Sequence, residues 1–327
     1  MKVLITGSGG FIGCNLCLNL LRKGIDVVAS YRSALPPFTA ELNESERAHL
    51  MLSQGDLTDV SYVESLRGLG IDSVINAAIV TSPADSELTW FTRMASVNVN
   101  STLNLLDFAV REGVKNYIYA SSFSLYGTKG FQRGDALLED RPLSLETTYS
   151  ITKRTCELLT ERFAALSGAK VACARIATPY GPYERVTSSR TVMGTVYGLL
   201  QAALAGKKVA VWGRDIERDW TYVDDTAEGM VQLLLANTKA LRHQEYNVSS
   251  AVAVTNEEVA RAVQEVYPGF QFTMTDDPAK ADISVAPACN RGIADITRLT
   301  EDTGFTPKWT LTGGIAQYIE HLKHYEF

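Results

Sequence analysis

Lys2-Val3-Leu4-Ile5-Thr6-Gly7-Ser8-Gly9-Gly10-Phe11-Ile12-Gly13 is the stretch on which the reading of this chain turns. An apolar run enters a glycine turn, and a helical stretch from Cys14 to Lys23 leaves it. A strand passing through such a turn into a helix is the context that a dinucleotide site requires. Gly7 permits the tight turn, Gly10 lets backbone approach a pyrophosphate, and Gly13 lets the helix pack close to the strand. The spacing is G-x-x-G-x-x-G rather than G-x-G-x-x-G, and a glycine turn without a ligand is the competing reading. Gly7, Gly10, Phe11, Ile12 and Gly13 are the candidate cofactor contacts.

Further along, Tyr149 and Lys153 head a stretch that reads as a helix through Leu166. Spacing i, i+4 puts the phenol and the ammonium on one face. A cation beside a phenol favours the phenolate, so the pair can exchange a proton. Alone the pair is weak, because Tyr and Lys four apart occur by chance in most helical proteins.

The 327 residues suit one large α/β domain plus a smaller lobe. Net charge −6 argues against a general nucleic-acid surface. No apolar run reaches membrane-spanning length, and Met1 leads straight into a core strand, so neither membrane span nor signal peptide is expected and cytoplasm is the default. Five cysteines, an odd and scattered set, argue against a full disulfide framework. Cys14 and Cys17 form a C-x-x-C without a second ligand pair, and the four histidines form no ligand set, so no metal is expected.

Strand and helix patterns alternate through residue 175. Strands are expected at Val3–Thr6, Val27–Tyr31, Ser73–Asn76, Tyr117–Ser121 and Val171–Arg175. Helices are expected at Asn15–Lys23, Val60–Leu69, Asn98–Glu112 and Tyr149–Leu166. Short apolar strands without alternation indicate a parallel sheet covered on both faces, the doubly wound arrangement, with ligands at the carboxyl ends of strands. Ala177–Arg190 reads as a loop and Thr191–Ala205 as a helix. Val209–Trp212 and Tyr222–Leu235 read as a strand and helix returning to the main domain. The remainder supplies a mixed lobe with helices at Asn256–Val266, Ile296–Thr303 and Thr312–His324 and a strand at Phe270–Met274. The expected division is 1–175 with 209–250 as dinucleotide domain, and 176–208 with 251–327 as substrate-binding lobe.

These motifs, taken with Gly55-Asp56-Leu57-Thr58-Asp59, Asn76-Ala77-Ala78, Asn98-Val99-Asn100, Ser121 to Gly127, Arg175 to Pro182 and Arg218 to Asp225, resemble the extended short-chain dehydrogenase/reductase family, specifically its nucleotide-sugar epimerase, dehydratase and reductase branch. The resemblance runs nearly the whole chain. It implies a Rossmann-type α/β fold and an NAD(P) cofactor. Tyr149 would be the acid/base, Lys153 would hold the nicotinamide ribose, and Ser122 would hydrogen-bond the substrate oxygen. Asp56 and Leu57 match the adenine contacts, and Ala77, Ala78 and Asn98 match further cofactor positions; Asn98 reads equally as a helix N-cap. At the end of the second strand Tyr31 stands where NAD-preferring members carry an acid, and Arg32 and Ser33 follow. A guanidinium and a hydroxyl suit a 2′-phosphate, so NADP is preferred over NAD.

Absent residues narrow the reaction. The Asp-Glu of family dehydratases is replaced by Phe123 and Ser124, and the glutamate of decarboxylases and the cysteine of epimerases working beside a carbonyl are also missing. Plain redox at a sugar carbinol or ketone remains, with 4-epimerisation as the alternative and a non-catalytic dinucleotide sensor as a reading of another class. Arg218 matches the arginine that grips a sugar-nucleotide diphosphate. Thr178 replaces a usual asparagine, and a later arginine is replaced by Lys280 or displaced to Arg291. Arg185 and Arg190 follow Pro182. Ser122, Ser124, Thr178, Arg185, Arg218 and Lys280 are the candidate substrate contacts. The resemblance also implies a homodimer, its interface formed by helices carrying Leu103, Leu106 and Val110, and Leu158, Arg162 and Ala165.

Overall fold

Seven strands form the central sheet, in the order Glu245–Val248, Lys170–Ile176, Asn116–Ser122, Ser73–Asn76, Lys2–Thr6, Asp26–Tyr31, Leu50–Gln54. Every neighbouring pair is parallel. The computed structural model describes residues 1–81, 87–129, 131–132, 134–187, 190, 193–237, 240–284 and 290–325; Cys289, Thr191 and Val192 lie outside them. Strand side chains alternate between two cores. Val3, Ile5, Val27 and Ile75 pack with the helices Phe11–Arg22 and Val223–Leu235. Leu4, Val28, Val74 and Tyr117 pack on the opposite face with Val60–Ser65, Ser101–Glu112 and Thr148–Ser167. Burial on both faces explains why these strands read as continuous apolar runs. The fold is a doubly wound, Rossmann-type α/β sheet. Chain order reverses between Lys2–Thr6 and Ser73–Asn76, which opens the ligand crevice at their carboxyl ends.

Both edge strands escaped the sequence pattern. Leu50–Gln54 buries none of its residues fully, with Met51 and Leu52 exposed, and only three apolar residues open it. Glu245–Val248 has only four residues, two of them polar. The helix expected at Asn98–Glu112 begins within a π turn at Ser96–Asn100 and continues as Ser101–Glu112, and a further helix, Glu87–Ala95, precedes it. Asn98 therefore lies inside a helical run and is not an N-cap.

The smaller lobe has its own core around Val196, Leu199, Trp220, Val259, Phe270 and Ile315. Here one expected assignment is corrected. Val209–Trp212 does not return to the main sheet; it pairs in parallel with Phe272–Thr275. Glu217–Tyr222 is also in the lobe, between Ala253–Thr255 and Thr178–Tyr180, so the 177–190 stretch contains a short strand. Only from Val223 does the chain return, as the helix packed on Phe11–Arg22. A four-residue apolar strand carries nothing that names its partner.

Candidate active site

The first helix begins where the first strand's turn ends. Gly7 has φ +66°, and a Cβ there would lie 2.8 Å from the Ala77 carbonyl oxygen. At Gly13 a Cβ would lie 2.1 Å from the Gly7 carbonyl oxygen, so only glycine lets helix and turn meet. Thr6 Oγ1 accepts from the Ala77 and Ala78 N–H groups at 3.1 and 3.2 Å and donates to Asn76 Oδ1 at 2.9 Å, which fixes two strand ends together. Gly10 caps the helix without a side chain, and no acidic residue stands in its first turn. The N–H groups of Phe11, Ile12 and Gly13 precede the first intrahelical bond, Cys14 N to Gly10 O. A helix N-terminus of this kind fits a pyrophosphate. Cys14 and Cys17 are buried, free thiols of the packed helix.

At the adenosine end, Tyr31 is half-buried and Arg32 and Ser33 are exposed. Asp56 accepts from the N–H and hydroxyl of Thr58 at 2.9 and 2.8 Å. Burial alone would raise the Asp56 pKa, but those bonds and the charge of Arg32 outweigh it and hold the carboxyl below its usual range. Leu57 turns its side chain into the core, and its carbonyl accepts from Asn104 at 2.9 Å.

The reacting centre lies where Asn116–Ser122 ends against the helix Thr148–Ser167. Thr147 caps that helix, with its hydroxyl accepting from Ser150 N–H while Ser150 Oγ accepts from Thr147 N–H. Tyr149 is half-buried in the first turn, and Lys153 is 3 % exposed one turn later. Lys153 Nζ donates to the Ala120 carbonyl and lies 5.7 Å from the Tyr149 ring centroid and 4.9 Å from that of Tyr119. Ser122 Oγ accepts from Ser124 N–H at 3.1 Å. The hydroxyls of Ser121 and Ser124 are buried without a hydrogen-bond partner. Buried hydroxyls are normally satisfied, so this strand end suits a polar ligand. Asn98 spends both amide hydrogens inside the protein, on Val80 O at 3.1 Å and Thr152 Oγ1 at 3.2 Å, and accepts from Val80 N–H at 2.9 Å. Its side chain thus holds the Val80 turn to the Tyr149 helix.

One supporting pair was missed. Arg175 is 2 % exposed and makes a two-pronged pair with Glu157, each contact 3.0 Å, while its Nη1 donates to Glu139 O at 2.7 Å and to the Tyr126 hydroxyl at 3.2 Å. Glu157 lies one turn beyond Lys153, and that i+4 spacing was the available signal. The substrate candidates separate. Arg218 is 2 % exposed on a strand whose Trp220 is in register with Thr178. Arg291 N–H donates to the Glu217 carbonyl at 3.4 Å, which places Arg291 beside Arg218. Lys280 is not there: its side chain is 77 % exposed and pairs with Asp277 at 3.3 Å. Arg185 is also elsewhere, its Nη2 donating to the Gly9 carbonyl at 2.7 Å. In each case a charged residue was assigned from chain position, and long-range folding put it in another place.

The NAD dependent epimerase/dehydratase family model matches residues 3–249. The chain belongs to this family. It is an enzyme of the extended short-chain dehydrogenase/reductase group. A dTDP-4-dehydro-6-deoxy-D-allose reductase of Streptomyces bikiniensis is 27% identical, covering 99% of this chain and 96% of the relative. A solved structure of MoeE5 with UDP-glucuronic acid and NAD is 27% identical, with TM-score 0.77 and 99% of each chain covered. The Thermus thermophilus UDP-glucose 4-epimerase, in complex with NAD, shares the fold at TM-score 0.81, 24% identity and 99% coverage of each chain. Among the described residues no helix is long and apolar enough to cross a membrane.

Proposed function

We propose that this enzyme carries out redox chemistry at a carbinol or ketone of a nucleotide-linked sugar, with Tyr149 exchanging the proton and NADP as its preferred dinucleotide. The observation that carries the reading is the Tyr149–Lys153 pair set against Ser122 at a strand end with unsatisfied hydroxyls. The bound dinucleotide would supply hydride exchange at the substrate carbon. Tyr149 gives its phenolic proton to the carbonyl oxygen, or takes one from the hydroxyl in the reverse direction. Ser122 hydrogen-bonds the same oxygen and holds it toward the phenol. Lys153, fixed by Ala120, places a positive charge beside the oxygen that becomes negative. Arg218 and Arg291 offer guanidinium groups to a diphosphate.

Tyr149→Phe keeps the ring and removes the donor. Turnover should fall by at least about a hundredfold, with dinucleotide affinity unchanged. A loss below about tenfold, with chemistry rate-limiting, would remove Tyr149 from this role.

A second reading, 4-epimerisation with retained NAD, is favoured by one contact. Asp56 lies within electrostatic range of Arg32, and that carboxylate offsets the charge a 2′-phosphate needs. Fluorescence titration separates the two. NADPH binding more tightly than NADH, with the preference reduced in Arg32→Ala, supports the redox reading; equal affinities support the epimerase. We further propose a cytoplasmic homodimer. Leu103, Val110 and Leu158 are exposed apolar residues on the two helices expected to pair, whereas Leu106 faces the core.

A further inference from the structure

Tyr183 has φ +68° and is 2 % exposed. A bulky side chain in the left-handed region persists only where its surroundings hold it. Here the hydroxyl bonds Glu41, and the ring meets His321 edge-on at 4.8 Å. The following Glu184 is buried, its Oε1 accepting from Gly194 N–H at 2.8 Å and Arg190 Nη2 at 2.6 Å. The turn sends Arg185 back to the glycine turn, with Nη2 2.7 Å from the Gly9 carbonyl oxygen. Arg190 Cζ lies 5.2 Å from the Phe11 ring centroid. Pro182 O accepts from Asn15 at 3.0 Å. Three contacts from one loop therefore fall on residues 9, 11 and 15, at the start of the first helix.

A dinucleotide pyrophosphate carries two negative charges. A helix N-terminus supplies about half a positive charge, and the first turn of this helix adds no side-chain charge of its own. A guanidinium matches phosphate oxygens in geometry as well as sign. At Gly9 the guanidinium stands beside the glycine turn, with Nη1 donating to the Tyr183 carbonyl at 3.4 Å. We infer that Arg185 binds the dinucleotide's pyrophosphate, so that the stretch from Tyr183 to Arg185 belongs to the cofactor site and not to the substrate site. The contacts of Tyr183 with Glu41 and His321, and the Glu184–Arg190 pair, hold Tyr183 to Arg185 in the position this requires.

The test is calorimetric titration of the full-length protein with ADP-ribose, which carries the pyrophosphate, and with adenosine, which does not. Arg185→Met should weaken ADP-ribose by about tenfold or more and adenosine by less than twofold. Arg185→Lys, which keeps the charge, should recover part of the loss, and both variants should melt within a few degrees of the parent. ADP-ribose affinity within twofold of the parent in Arg185→Met would overturn the assignment. Equal losses for both ligands would also overturn it, by making Arg185 a brace for the turn. A parent protein that fails to bind ADP-ribose would overturn it together with the dinucleotide site itself.

Discussion

The candidate sites of the dinucleotide half and of the smaller lobe are built by different means. Around Gly7–Gly13 the candidate site is backbone: a turn, a helix end and two strand ends fixed by Thr6. In the lobe the proposed contacts are side chains, Thr178, Arg218 and Arg291, carried on segments far apart in sequence. Backbone recognition is encoded locally, because the glycines and the strand before them determine it within twelve residues. Side-chain recognition depends on which distant strands pair.

The contrast is sharpest between two glycines. Gly13→Val should cost more than about 4 kcal/mol and abolish dinucleotide binding, because its Cβ meets the Gly7 carbonyl oxygen at 2.1 Å and backbone cannot give way. Gly198→Ala, in the lobe helix Thr195–Leu204, meets only Ile283 at 3.5 Å, an ordinary contact. It should be neutral or stabilise by up to about 1 kcal/mol through helix propensity. Thermal melts of both variants decide the comparison, and similar losses at the two sites would end it.

The same division governs what could be read from the sequence. The five inner strands follow from apolar runs buried on both faces, and the Tyr149 helix from its amphipathic spacing and Thr147 cap. Both edge strands escaped because one is half-exposed and the other, Glu245-Tyr246-Asn247-Val248, is half polar. Val209–Trp212 was assigned to the wrong sheet, since Phe272–Thr275 lies some sixty residues away and nothing in either segment names the other. Lys153 lies near Tyr149 and bonds Ala120, on the strand that ends at Ser122, so these three candidates are each tied to a main-sheet element. Lys280 and Arg185 do not fall where expected because their places depend on loops. The N-cap reading of Asn98 failed because a π turn cannot be told from a helix start by residue type.

Two acids, one in each region, shift in opposite directions. Asp56 keeps its charge, its pKa held down by Thr58 and Arg32 against burial, so it contributes stability above the unfolded value that is lost as pH falls. Asp219 is the opposite case. Burial pushes its carboxyl up to about 6, although Ser249, Ala294 N–H and Thr221 donate to it. A raised folded pKa means stability fully present below the unfolded value of about 4 and lost as pH rises through about 6. The loss amounts to about 3 kcal/mol. Denaturant melts from pH 4 to 7 should show that slope in the parent and its loss in Asp219→Asn. An unchanged slope in the variant would assign the effect to other acids.

The smallest expected effect tests the lobe's side-chain recognition most directly. Lys280 and Arg291 were alternatives for one anion-binding position, and the fold separates them. Lys280 is on the surface with Asp277, and an exposed pair of this kind contributes about 0–1 kcal/mol. Lys280→Ala should therefore leave the melting temperature nearly unchanged and substrate KM within about twofold, a difference of about 0.4 kcal/mol. Arg291→Met, beside Arg218, should raise KM by about tenfold or more if the pair holds a diphosphate, with dinucleotide affinity unaffected. Steady-state kinetics on both variants with one nucleotide sugar makes the comparison. A larger KM effect at Lys280 than at Arg291 would mean that the Pro278–Lys280 turn swings in to meet substrate. The lobe's site would then be completed by ligand, while the glycine turn of the other half is built in advance.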